Sequence, residues 1–70
     1  MKYAVVIEEG PTSFGAYVPD LPGCVAIGES RAETVQLIHD AIELHLQRLR
    51  EQGAVVPSPA SSVEIIDVAA

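Results

Sequence analysis

The side chains that could carry out chemistry are few in this chain, and their spacing assembles no reactive centre. Two histidines, His39 and His45, are six residues apart, which puts them about 120° apart around a helix, so they cannot hold one metal ion together. The single cysteine, Cys24, has no base near it in the sequence and is interpreted as a small buried hydrophobic residue. We therefore expect no metal site, no cofactor and no internal disulfide bond.

Carboxylates are the remaining candidates, and they lie near the ends of predicted strands: Glu8, Asp20, Glu29 and Asp67. A metal-dependent nuclease would need several of them to converge on one ion, and their separation in sequence neither establishes nor forbids this. The chain has no phosphate-binding glycine loop, no G-x-S-x-G motif and no basic stripe. The sequence favours a protein that is not an enzyme, with a degenerate nuclease as the alternative.

The charge balance restricts the class of partner. Ten Asp and Glu residues against four Lys and Arg residues give a net charge of −6, which repels the phosphates of nucleic acids and membranes and suits a basic protein partner. The competing interpretation is that the acidity only confers solubility. We expect no binding to nucleic acid or to membranes.

The length of 70 residues indicates one domain over residues 1–70. A chain this short buries only about 60% of its unfolded surface, and the resulting thin core favours assembly into a dimer or larger oligomer. The apolar run at residues 4–7 is too short for a secretory leader, and no run approaches the length of a membrane span. We expect a cytoplasmic protein.

Three short apolar runs, over residues 2–8, 14–18 and 24–28, predict a meander of strands. The connection between the last two contains Pro19 and Pro22, which fix φ and cannot donate to a sheet, so they end the strand and shape a turn around Asp20. Gly23 supplies backbone freedom at the exit. This connection is interpreted either as a rigid connector, which we favour, or as a shaped contact surface.

A helix is predicted from Ser30, which caps it together with Glu33, to a left-handed Gly53. One apolar stripe follows the helical period: Val35, Ile38, Ile42, Leu46 and Leu49. Leu37 and Leu44, flanked by Ala41, form a second apolar line at the edge of that stripe. This line packs under the strand loops or forms a subunit contact, and the sequence does not choose between the two.

A last strand is expected at residues 63–68, after a proline-containing linker at 54–62. The predicted fold is therefore α+β with the order β-β-β-α-β, the final strand lying parallel to the first in the spatial order 3-2-1-4. One helix covers one sheet face, which leaves Ala4, Val6, Ala16 and Cys24 for the other. The candidate oligomer interface contains two strand residues and three helix residues: Ala4, Val6, Leu37, Ala41 and Leu44.

Three segments, at residues 3–8, 16–24 and 28–30, resemble the N-terminal domain of the HicB antitoxin family. The match covers almost the whole chain, and the proline-rich turn with its glycine and cysteine is its most specific part. The resemblance implies a partial ribonuclease H-like fold and a module that binds and masks HicA, a small basic ribonuclease toxin. Fold alone does not confer nuclease activity.

Members of this family usually continue into a DNA-binding domain, whereas this chain stops at Ala70, so we expect a short stand-alone form without DNA binding. The candidate toxin contacts flank the shaped turn: Asp20, Leu21, Gly23 and Glu29. The alternative function is that of an orphan oligomeric scaffold or ligand-binding domain with no toxin partner.

Overall fold

A computed structural model describes residues 1–69, which form three strands and one long helix. The strands are β1 (Val6–Glu9), β2 (Phe14–Tyr17) and β3 (Val25–Gly28), and the helix is α1 (Arg31–Glu51). The strands form one antiparallel sheet in the order β1-β2-β3. The α+β class and the three-stranded meander are therefore confirmed.

The connection between β2 and β3 consists of two consecutive turns that share Leu21. The N–H of Leu21 donates to the carbonyl of Val18 at 3.1 Å, and the N–H of Cys24 donates to the carbonyl of Leu21 at 3.1 Å. Each turn has proline at its second position, where the fixed φ is favoured, and Gly23 takes a φ of 83° at the third position of the second turn. The prolines and the glycine thus occupy the positions that their conformational preferences predict.

Both ends of α1 carry the predicted caps. The N–H of Glu33 donates to the Ser30 hydroxyl at 3.1 Å. At the other end Gly53 has a φ of 68°, and the N–H groups of Gly53 and Ala54 donate to the carbonyls of Arg50 and Leu49 at 3.1 and 2.9 Å, closing a Schellman motif.

The core lies between the sheet and α1. Its buried hydrophobic residues come from β2, from the connection between β2 and β3, and from α1: Ala16, Val18, Leu21, Cys24 and Ile38. Two of them, Ala16 and Cys24, correct the sequence-based prediction, which put them on the uncovered face. The register pairs Ala16 with Ile7 and Ala26, and this row of mostly small side chains lies under the helix, where it permits close packing.

The first turn of α1 approaches the end of β3 very closely. Thr34 is completely buried, and its hydroxyl donates to the carbonyl of Ser30 at 2.7 Å. A Cβ atom placed on Gly28 would lie 2.5 Å from the Thr34 hydroxyl oxygen, so only glycine fits there. Thr34 occupies the buried position that the sequence analysis assigned to its neighbour Val35, which is about half exposed.

The C-terminal segment differs from the expected fourth strand. Residues 54–69 contain no regular secondary structure, so the order 3-2-1-4 is not formed within the described chain. In the expected strand Glu64 and Asp67 fall on opposite faces, so neither face is uniformly apolar, and residues 57–61 are attached elsewhere, as described below. Among residues 1–69, no helix is both long and apolar enough to cross a bilayer.

Candidate protein-binding surfaces

The sheet face that α1 leaves uncovered is apolar. It contains the row Val6, Tyr17 and Val25 and, one step along, Ile27; the exposed fractions of Tyr17, Val25 and Ile27 are 42%, 63% and 73%. We call these four residues the open face. A contiguous apolar surface of this kind is typical of a site that another protein covers.

One end of the molecule is acidic. Glu9 pairs with Phe14, and Phe14 pairs with Gly28, so these three residues form the last row at one end of the strands. Glu29 follows Gly28 directly and therefore lies at the same end. The first turn of the helix adds Glu33, whose carboxylate accepts a hydrogen bond from the Glu29 N–H at 3.4 Å. We call this region, comprising Glu8, Glu9, Glu29 and Glu33, the acidic end; it also contains Arg31. It adjoins the open face because Glu8 lies in the same cross-strand row as Ile27.

The opposite end of the molecule contains most of the basic residues. Lys2 and Arg50 line one groove together, and Arg48 lies near the β2–β3 connection. Arg48 and Arg50 are in the last turn of α1, where positive charge interacts favourably with the helix dipole. The net negative charge is therefore distributed unevenly along the molecule.

A polar attachment at this basic end holds the start of the C-terminal segment. The carboxylate of Asp20 accepts hydrogen bonds from the N–H groups of Ala60 and Ser61 at 3.0 and 2.9 Å and from the Ser61 hydroxyl at 2.9 Å. The hydrogen bonds from Ser61 and Ala60 lower the pKa of Asp20 below its ordinary value of 3.8. The Tyr3 hydroxyl donates to the carbonyl of Pro57. We call these contacts the C-terminal clamp.

An open apolar groove runs between β1 and α1. The helix lies mainly over β3 and β2 and touches β1 least, which leaves a groove of about 560 Å³. We call it the β1 groove, and its apolar lining comes from both elements and from the residue before β1: Val5, Ile7, Val35, Ile38, Ile42 and Leu46. Six further side chains complete it: Met1, Lys2, Tyr3, His39, Glu43 and Arg50. Tyr3 also belongs to the C-terminal clamp.

The four predicted toxin contacts do not form one patch. Asp20 and Gly23 lie in the β2–β3 connection, whereas Glu29 lies beyond the other end of β3. Leu21 is completely buried, so its side chain offers no surface to a partner. Glu29 is exposed within the acidic end, and Asp20 is occupied by the C-terminal clamp.

The five predicted oligomer contacts lie on two different layers. Val6 belongs to the open face, and Ala4, two positions before it, is half-buried on the same side of the chain. Leu37, Ala41 and Leu44 are on α1, where Ala41 and Leu44 border a small depression beside Cys24 and Val25. Ala41 packs against the core, while Leu37 and Leu44 remain substantially exposed.

The clamp and the full extent of the open face do not follow from the sequence patterns. The alternation of residues in β3 places Val25 and Ile27 on the same face of the sheet. It does not show which face the helix covers. For Asp20 the sequence signal is the tendency of its side chain to accept hydrogen bonds from backbone N–H groups. The donors, however, are 40 and 41 positions away in the sequence, and no local pattern reveals them.

The groups best placed to bind metal are ordinary surface residues. His39 Nδ1 lies 3.3 Å from an Asp40 oxygen and 3.2 Å from a Glu43 oxygen, and all three side chains are exposed. Neighbouring charges of this kind are common on helices. Cys24 is buried, and burial raises the pKa of its thiol, which disfavours the reactive thiolate.

Comparisons with known proteins identify the family. The family described as HicB-like antitoxin of bacterial toxin–antitoxin system matches residues 3–69. A UPF0150 protein of Helicobacter pylori is 40% identical over 63 residues, covering 90% of this chain and 88% of the relative. A UPF0150 protein of Archaeoglobus fulgidus is 40% identical over 48 residues, covering 67% of this chain and 70% of the relative.

A solved structure agrees with the family match. A chain of the HicA3 and HicB3 toxin–antitoxin complex superposes with a TM-score of 0.73 at 28% identity, covering 86% of this chain and 70% of that chain. The similarity therefore extends to the arrangement of the strands and the helix. This chain belongs to the HicB-like antitoxin family.

Proposed function

We propose that this protein is an antitoxin that binds a small basic ribonuclease toxin of the HicA type and masks it by direct contact. The observation that carries the proposal is the family match over residues 3–69, together with the structural similarity to a chain of a toxin–antitoxin complex. Masking by contact needs no catalytic group or cofactor of the antitoxin's own. The proposal places the encounter in the cytoplasm, where a ribonuclease toxin meets its RNA substrates.

We assign the toxin to the open face and the adjoining acidic end. Stable interfaces combine a desolvated apolar centre with a polar rim, and here Tyr17, Val25 and Ile27 supply the centre while Glu8 and Glu29 supply the rim. A basic partner would be steered to the acidic end before the apolar contacts form. Of the sequence-predicted contacts, Glu29 remains part of this surface, whereas Asp20 has its clamp role at the other end.

Two sets of variants test this assignment against a small basic protein encoded next to the gene. Glu8→Lys with Glu29→Lys should slow association by about tenfold at low salt, because opposite charge mainly accelerates encounter. Asp40→Lys with Glu43→Lys on the helix is the matched control, since it changes the net charge equally. Association rates measured by surface plasmon resonance at two salt concentrations give the comparison.

The apolar part of the surface requires a separate variant. Ile27→Asp should accelerate dissociation and abolish neutralisation of toxicity in cells, while the thermal unfolding of the free protein stays nearly unchanged because Ile27 is exposed. Binding that is unaffected by both sets of variants would contradict the assigned surface. A failure of the unaltered protein to bind or neutralise the adjacent basic protein would favour the orphan oligomer.

A further inference from the structure

The outer edge of β3 is a strand edge with unpaired backbone groups. The N–H of Val18 donates to the carbonyl of Cys24 at 3.2 Å, so the backbone carbonyl of Cys24 faces β2. The direction of these groups alternates along an antiparallel strand, so the N–H and C=O groups of Val25 and Ile27 point away from β2. Among residues 1–69, no backbone hydrogen bond outside the sheet involves either residue, and β3 pairs with β2 alone. This edge is therefore open to an added strand.

An apolar line of the helix stands beside the same edge. The residues of β3 that face α1 are small, Ala26 and Gly28, so the helix lies close over the strand. Ala41 and Leu44 border the depression at the start of β3, and Leu37 lies on the same side of α1, four and seven positions before them. The β1 groove is on the other side of α1, so this second apolar line, Leu37, Ala41 and Leu44, flanks the outer edge of β3.

A strand added at this edge would contact apolar surface on both of its faces. Its side chains would alternate between the two faces. Those on the helix side would pack against Leu37 and Leu44, which are 39% and 46% exposed, and those on the other side would extend the open face beyond Val25 and Ile27. A helix docked there would leave the backbone groups of β3 unpaired, so an extended segment fits the edge best.

The charges at the two ends of the edge indicate which segment fits. Glu29 follows the end of β3, whereas His45 and Arg48 line the depression of about 140 Å³ at its start. A basic residue is therefore favoured at the Glu29 end of the added strand. Residues 62–69 of this chain contain two acidic residues and no basic one, so they do not meet this requirement, whereas a segment of a basic partner does.

We propose that the basic toxin adds an extended, apolar segment to the outer edge of β3, where the segment pairs with Val25 and Ile27 and packs against the second apolar line. The inference rests on the proposed function and specifies how the partner is held. Val25 and Ile27 connect the two surfaces, since their side chains belong to the open face while their backbone groups form the edge. The toxin therefore covers one continuous surface that turns from the open face around the edge to the helix.

The first test compares two helix variants in binding to the small basic protein encoded next to the gene. Leu44 and Val35 are equally exposed, at 46% and 47%, but Val35 lines the β1 groove on the other side of α1. Leu44→Asp should weaken binding by about tenfold or more, and Val35→Asp, the matched control, by less than about twofold. Isothermal titration calorimetry measures both, after circular dichroism melting has shown that both variants fold. Equal effects, or no effect of Leu44→Asp, would overturn the proposal.

The second test detects the added strand directly by nuclear magnetic resonance. In a complex of ¹⁵N-labelled antitoxin with ¹³C-labelled partner, scalar couplings across hydrogen bonds should connect the amide nitrogens of Val25 and Ile27 to carbonyl carbons of the partner. Only hydrogen bonds between the two proteins can produce this signal. If neither nitrogen shows a coupling, strand addition is excluded, even if Leu44→Asp weakens binding.

The results also separate the inference from the proposed function. Binding that is weakened by Ile27→Asp but not by Leu44→Asp, without couplings at the edge, would leave the open face as the toxin site and overturn the strand addition alone. An unaltered protein that does not bind the adjacent basic protein would overturn both.

Discussion

Two segments of this small protein contain a pair of prolines each, and they behave very differently. In the β2–β3 connection, Pro19 and Pro22 take the second positions of two hydrogen-bonded turns, and the segment buries Leu21 and Cys24 in the core. In the C-terminal segment, Pro57 and Pro59 lie in irregular backbone that Tyr3 and Asp20 hold. Proline shapes a turn where neighbouring residues supply the hydrogen bonds, whereas elsewhere it only stiffens a chain that tertiary contacts must position.

The largest expected effect is at Leu21, the centre of the β2–β3 connection. Leu21 is completely buried, so Leu21→Ala should lower the free energy of unfolding by about 2–5 kcal/mol through lost burial and a residual cavity. Leu44→Ala makes the same chemical change on an exposed part of the helix and should cost no more than about 0.5 kcal/mol. Urea denaturation of both variants compares them, and similar losses would mean that the connection is not part of the core.

A smaller effect is expected at Gly23, which tests the backbone of the same connection. Its φ of 83° is in the region where a side chain costs about 1–2 kcal/mol, so Gly23→Ala should destabilise by that amount although a Cβ there meets no atom within 4 Å. Gly15→Ala is the control, since Gly15 also has free space but lies in strand β2 without a positive φ. Equal unfolding free energies for the two variants would contradict a conformational cause.

The smallest effect is local and belongs to the C-terminal clamp. Because hydrogen bonds lower the pKa of Asp20 in the folded protein, the clamp should be intact above the ordinary value of 3.8 and should be lost as the pH falls through the lower folded pKa. The amide resonances of Ala60 and Ser61 should therefore shift only below about pH 3.8. Asp20→Asn should remove this titration, and a shift centred near neutral pH would exclude Asp20 as its cause.

The parts of the fold that the sequence predicts correctly depend on neighbouring residues. Ser30 and Glu33 cap the helix, Gly53 ends it, and Pro22 with Gly23 forms the turn, because each interaction spans only a few positions. For Leu21, in contrast, the sequence predicts a place on a partner surface, and the structure buries it. A turn pattern contains no information about which side chain the helix covers.

The rest depends on contacts between distant residues. Residues 63–68 have a composition typical of strands, but a strand forms only where the segment can pair with the edge of a sheet. The hydrogen bonds of Asp20 to Ala60 and Ser61 fix the point from which this segment starts. The predicted oligomer interface fails to form one surface for a similar reason. The sequence pattern predicts that Val6 and Leu44 are both apolar and exposed, but Val6 is in the sheet and Leu44 is in the helix, so they lie on different layers.

The uneven charge described above gives the body formed by the sheet and the helix an electric dipole between its acidic end and its basic end. Two such dipoles lying side by side have the lowest energy when they are antiparallel, with the Glu9 and Glu29 end of one copy beside the Lys2 and Arg50 end of the other. A basic partner, by contrast, experiences a torque that turns the acidic end toward it. Both orienting effects weaken at about 0.1 M salt, where the screening length of about 10 Å is shorter than the helix of 21 residues, about 30 Å long, that separates the two ends.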